Sequence, residues 1–191
     1  SQRWLDQGVE EIEDLNEKPP LMIYGPGGTG KSSLLSRFIL DHATLDDHRR
    51  IPFIYLDFDR PELRADEPVT LLIEAVRQLG LQYPHARAAC ESIRADWQTQ
   101  LAEAARQRPA TTSGTATSLN ATAFILSFRT LLRSLELSRK PILWVLDTFE
   151  EVQWRSPGGV RQVMTFLADL QSHVPRLRTV IRKRGLLGSG S

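Results

Sequence analysis

Eight residues constrain this chain more than any others: Gly25-Pro26-Gly27-Gly28-Thr29-Gly30-Lys31-Ser32. Glycine admits backbone paths that side chains would obstruct, so such a stretch can converge several N–H groups on one oxyanion. The spacing fits G-x-x-x-x-G-K-[ST], the pattern of a loop that cradles phosphates. In that pattern Lys31 supplies a point charge for the β- and γ-phosphates, and the Ser32 hydroxyl can ligate Mg²⁺. The context agrees. Leu21-Met22-Ile23-Tyr24 is a short apolar run suited to a buried strand directly before the loop. Residues 31–42 carry Leu34, Leu35, Phe38 and Ile39 on one helical face directly after it. A helix there points its positive end and free N–H groups at the loop. The candidate phosphate-binding set is Gly25, Pro26, Gly27, Gly28, Thr29, Gly30, Lys31, Ser32 and the adjacent Ser33. An ordinary glycine-rich turn is the competing reading.

The rest of the chain alternates between the two periodicities. Residues 4–17 place Trp4, Leu5, Val9, Ile12 and Leu15 among six acids, an amphipathic helix that Pro19 and Pro20 end. Residues 51–58 read as a second strand. Residues 69–79 read as a helix through Leu72, Ala75, Val76 and Leu79, with Gly80 as its stop. Residues 86–107 and 123–137 read as two more helices. Between them, Pro109 to Thr122 is rich in Thr, Ser, Ala and Gly and reads as a mobile surface loop, a domain boundary being the alternative. Residues 142–146 form the most apolar strand, 159–172 a helix and 177–181 a last strand. Alternating strands and helices predict an α/β fold with a largely parallel sheet covered on both faces. The expected organisation is an N-terminal helix and linker over 1–18, one domain over 19–187, and linker or tag residues at 188–191.

A carboxylate is needed beside a phosphate loop to hold Mg²⁺, often through water. Asp147, at the end of Ile142-Leu143-Trp144-Val145-Leu146, is the candidate. A strand-end acid that caps the next segment is the plainer alternative. Glu150 and Glu151 follow at three and four positions, and one of them is the candidate for orienting the attacking water. Asp57 and Asp59 close the second strand, where a water- or metal-positioning role and a simple turn role are both open. Trp144 reads as core, and so does Cys90.

Composition excludes several classes. Of 191 residues, 24 are basic and 23 acidic, so no global field points to nucleic acid or anionic lipid. Five cations do fall between Arg176 and Arg184, and a nucleic-acid patch is kept as a lesser reading of them. No apolar run reaches the ~20 residues of a membrane helix. The single cysteine cannot form an internal disulfide, and a reducing, cytoplasmic setting is expected. The four histidines show no metal-ligand spacing.

Taken together, these residues resemble the additional-strand class of P-loop NTPases, and within it the STAND group of NACHT and NB-ARC signalling ATPases. Val145-Leu146-Asp147-Thr148-Phe149-Glu150-Glu151 is similar to the NACHT-type strand end. Leu177-Arg178-Thr179-Val180-Ile181-Arg182-Lys183-Arg184 resembles the family's fourth strand, which ends in a sensor arginine, and Arg184 best matches that position. Val9 stands where the family often has an arginine near the base. The resemblance covers residues 8–184. It implies a three-layer sandwich with about four strands in the order 2-3-4-1. It also implies ATP or ADP with Mg²⁺ as ligands, catalytic parts for Lys31, Arg184 and Glu150 or Glu151, and metal ligation by Ser32 and Asp147. ATP is favoured over GTP because no Asn-Lys-x-Asp element is present.

On that basis the expected activity is slow ATP hydrolysis by a molecular switch. The chain would be a fragment of a larger, bacterial-type signalling protein with protein partners or self-oligomerisation. A nucleotide-gated interaction module without useful hydrolysis, and an AAA-type remodelling or DNA-loading ATPase, are the alternatives.

Overall fold

The computed structural model describes residues 21–25, 37, 41, 45, 50–107, 121–156 and 158–184, with backbone only at 22–25, 183 and 184. Among the described residues there are four strands: β1 (Leu21–Gly25), β2 (Phe53–Asp57), β3 (Ile142–Asp147) and β4 (Leu177–Arg184). They pair in the order β1-β4-β3-β2, and every pairing is parallel. The helices described from end to end are α1 (Val69–Gln82), α2 (Arg87–Arg106), α3 (Ala121–Ser134), the short α4 (Glu150–Arg155) and α5 (Gly159–His173). The α/β character and the parallel sheet match the alternation of periodicities in the sequence.

β3 explains why the sheet is central. All six of its residues are buried, so its apolar run needs no alternation. Ile142, Trp144 and Leu146 face the main core, which also takes Leu72, Val76 and Leu79 of α1, Phe128 and Leu132 of α3, and Val163, Leu167 and Leu170 of α5. The Phe128 and Trp144 rings meet edge to face at 6.3 Å. Leu143 and Val145 point the other way, into a smaller cluster with Phe53 and Val180. Trp144 and Cys90 are core residues, as their patterns suggest.

Several boundaries differ from the sequence reading. Helix α1 runs through Gly80 to Gln82. A Cβ at Gly80 would lie 3.1 Å from the Cβ of Cys90 on α2. The glycine therefore serves close approach between two helices, not termination. The helix stops instead at Tyr83-Pro84, since the residue before a proline is pushed out of the α region. Helix α3 begins at Ala121, inside the stretch expected to be loop, and ends at Ser134, three residues early. There Glu136 adopts φ 57°, which breaks the helix before a 3₁₀ turn at Leu137–Arg139. The expected helix over 4–17 and the loop over 109–120 lie outside the described residues. Of the expected helix over 31–42, Arg37 and Asp41 are described; both are helical and form an exposed ion pair at 3.0 Å.

β2 ends the sheet on one side, and its outward backbone groups are met by two side chains of α1. Gln78 accepts from the Tyr55 N–H at 2.8 Å and donates to the Tyr55 carbonyl at 2.7 Å. Gln82 does the same for Phe53, accepting from its N–H at 3.0 Å and donating to its carbonyl. Two helical residues four apart rise about 6 Å, and two strand residues two apart about 6.6 Å. This near match lets one helix face cap alternate residues of the strand and seals an edge that would otherwise template pairing with another chain.

Candidate nucleotide-binding site

Parallel strands bring all their C-terminal ends to one rim, where open α/β sheets bind ligands. β1 ends at Gly25, the first residue of the glycine-rich motif, and Gly25 is in register with Arg184 of β4. On the other side of β4 lies β3, which ends at Asp147. Asp147 stands level with Arg182, two residues before Arg184, so the motif starts two strand spacings across and two residues along from it, about 12 Å between backbones. Pro26, Gly27, Gly28, Thr29, Gly30, Lys31, Ser32 and Ser33 lie outside the described residues. Arg184 is placed by its backbone alone, at the end of β4.

Asp147 is 3% exposed, and a buried carboxylate must be paired or protonated. It is paired on both oxygens. Oδ2 accepts from the Tyr55 hydroxyl of β2. Oδ1 accepts from the Arg182 Nε of β4 and from the Thr148 N–H at 2.8 Å. Three adjacent strands thus converge on one side chain. Burial, and then the hydrogen bond to Asp147, push the Tyr55 phenol above its usual range. It therefore stays a donor at neutral pH.

Asp57 lies beside Asp147 in the β2–β3 register. Its Oδ1 accepts from the Thr148 hydroxyl and from the Asp59 N–H at 3.1 Å. Asp57 thus makes the local turn contact of a strand-end acid and also ties β2 to the segment after β3. Thr148 supplies that tie from φ 52°. Such a conformation is unusual for a β-branched residue and costs on the order of 1–3 kcal/mol. Its surroundings hold it there: the Phe58 N–H donates to the Asp147 carbonyl at 3.1 Å, and the Phe58 and Phe149 rings pack edge to face at 5.5 Å.

Glu150 and Glu151 open α4, next to its positive N-terminal end. Both are half-buried, and Glu151 pairs with Arg155 at 3.5 Å. Arg155 in turn donates to the Phe58 carbonyl at 2.9 Å. The short helix is therefore fastened to the end of β2.

The model of the AAA ATPase domain matches residues 9–181. The chain belongs to that family. A search of curated proteins finds no match.

Membership in the AAA ATPase domain family makes this chain a P-loop NTPase of the AAA type, with nucleotide binding and ATPase activity as the domain's properties. Mg²⁺ is typical of such domains. The donors present fit it, because Asp147 and Asp57 offer hard carboxylate oxygens at the rim. Among the described residues no group of three or more His, Cys, Asp or Glu could hold a metal. A metal here would lean on the phosphate loop and the nucleotide for its other ligands. No helix among the described residues is long and apolar enough to cross a membrane.

Sequence reasoning missed Tyr55 and the partnership of Arg182. A signal for the latter existed. Asp147 is the sixth residue of β3 and Arg182 the sixth of β4, so adjacent parallel strands in simple register bring them level.

Proposed function

We propose that this AAA ATPase domain binds Mg-ATP at the C-terminal rim of its sheet and hydrolyses it slowly, as the switch of a larger signalling protein of the STAND type. The observation that carries the reading is the register: Gly25 opposite Arg184, and one strand further Asp147, all at one rim. In this reading Gly25 to Ser33 and Lys31 hold the phosphates. Ser32 and Asp147 are the metal's protein ligands. Mg²⁺ supplies charge neutralisation at the phosphates when bound. Glu150 or Glu151 orients the attacking water, and Arg184 responds to the γ-phosphate. The four-strand order and the Asp147-to-Glu151 segment support the STAND assignment within the family. Trp154, 75% exposed on the same short helix as the two glutamates, supports a protein partner near the site.

The test is calorimetric titration of ATP and ADP with Mg²⁺ on the chain and on Lys31→Ala. Micromolar binding lost in the variant is the expected result. Absence of binding by the folded wild-type chain overturns the reading. Glu150→Gln and Glu151→Gln then separate a hydrolysing switch from a nucleotide-gated interaction module. In the switch, one of them lowers turnover while ATP affinity is kept.

A further inference from the structure

We propose that Arg182 is a positioning residue that acts as an internal counter-cation of Asp147, against which a divalent ion must compete for that carboxylate. The proposal rests on the nucleotide-binding reading above and adds a control on metal entry to it.

The geometry points to Arg182 in three ways. Its guanidinium bonds Asp147 Oδ1 through Nε, and the two side chains are 12% and 4% exposed. Two opposite charges so withdrawn from water attract strongly, and together they present no net charge to an incoming cation. Second, Arg182 lies on the strand between β3, which carries Asp147, and β1. Its backbone pairs with Ile23 of β1, two residues before the motif begins. A guanidinium released from Asp147 would therefore stay beside β1, the strand that leads into the motif. Third, the Arg182 main chain is held independently of its side chain. The Arg182 carbonyl accepts from the Phe149 N–H at 3.4 Å, and β4 is paired on both sides. The long side chain can thus change partners without disturbing the sheet.

Tyr55 completes the arrangement. Its hydroxyl occupies the other carboxylate oxygen, so Asp147 has no oxygen clear of the protein's own donors. A divalent cation entering at Asp147 competes first with Arg182, because two like charges on one carboxylate so withdrawn from water repel each other. The Tyr55 hydroxyl is neutral and can remain as a donor to Oδ2 or to a metal-bound water.

The experiment measures ATP affinity of the full chain in excess Mg²⁺ and in a chelator, and takes the ratio of the two dissociation constants. In the wild type the ratio is small, since Mg²⁺ gains Asp147 only in competition with Arg182. In Arg182→Met the ratio rises about tenfold, the worth of one charge-assisted hydrogen bond no longer opposed. Arg182→Lys keeps a cation on the carboxylate and returns the ratio towards the wild-type value. Tyr55→Phe, which leaves the ion pair intact, raises it by a few-fold at most. Where Arg182→Met does not fold, Arg182→Gln, which keeps a neutral donor beside Asp147, is read in its place and must raise the ratio.

A purely structural role for Arg182 would weaken ATP equally with and without Mg²⁺; an unchanged ratio in Arg182→Met overturns the proposal while nucleotide binding stands. An unchanged ratio in Arg182→Gln, where Arg182→Met gives no folded protein, overturns it too. A wild-type chain that binds no ATP in either condition, or Lys31→Ala binding as well as wild type, overturns the nucleotide reading itself.

Discussion

The two faces of β3 end differently. On one, Ile142, Trp144 and Leu146 run apolar from end to end beneath α1, α3 and α5. On the other, Leu143 and Val145 give way to Asp147, fixed by Tyr55, Arg182 and Thr148. The faces also treat polar atoms differently. Trp144 is fully buried, and its Nε1 has no hydrogen-bond partner among the described residues. Every oxygen of the Asp147 carboxylate has one. The difference follows from charge. An unpaired neutral N–H in a core costs about 1–3 kcal/mol, which a large ring offsets through its burial. An unpaired buried carboxylate costs far more and is not tolerated. One face is therefore robust to the loss of a polar atom and sensitive to the loss of volume; the other is the reverse.

The contrast can be broken in order of expected effect. Trp144→Ala opens a cavity against Phe128 and should lower unfolding free energy by about 3–5 kcal/mol in denaturant titrations. Trp144→Phe, which discards the unpartnered N–H and keeps most of the packing, should cost less than about 1.5 kcal/mol. Equal losses in the two would show that the N–H has a partner in solution.

On the ionic face, Arg182→Met should cost roughly 3–5 kcal/mol by stranding Asp147, while adding Asp147→Leu to it should recover most of the loss. A double variant no better than the single one would mean that the network is held by packing and not by charge.

A smaller effect is expected at the β2 edge. Gln82→Ala removes two hydrogen bonds to Phe53. It should lower stability by about 1–2 kcal/mol. It should also make the chain self-associate with concentration in sedimentation, because the uncovered N–H and carbonyl form a pairing edge. The smallest effect is at Tyr55→Phe, about 1 kcal/mol at neutral pH.

That last variant also carries a pH signature. The Tyr55 phenol is raised in the folded chain, chiefly by burial. Its stabilising contribution is thus fully present below the unfolded value near 10 and is lost as pH rises towards the folded one. Wild type should therefore lose stability more steeply than Tyr55→Phe above about pH 10. Parallel curves would place the hydroxyl in water.

Much of this was legible in the chain before any coordinates. The continuous apolar run of β3, the helical spacing of Val69 to Leu79 and the glycine motif each carry a local physical signature. Those signatures survived at Trp144 and Cys90. The misreadings fell where tertiary contact outweighs local preference. Gly80 looks like a terminator by composition, yet its missing side chain admits Cys90 of a neighbouring helix. Ala121 and Thr122 look like loop, yet they open the helix that carries Phe124. Glu150 and Glu151 gave no helical pattern, because six residues are too few to show one.

What the sequence determined by itself is local: a phosphate-loop signature at Gly25 to Ser32, an acid at the end of the most apolar strand, and strands alternating with helices. These depend on neighbours a few residues apart, which fix backbone freedom and periodicity. Only the tertiary structure decided what meets the acid. Tyr55 is 92 residues from Asp147 in the chain and Arg182 is 35 away. Parallel pairing sets which residues stand level across three strands, and no local propensity encodes that register. The charge that neutralises Asp147 is therefore a property of the sheet, not of any segment within it.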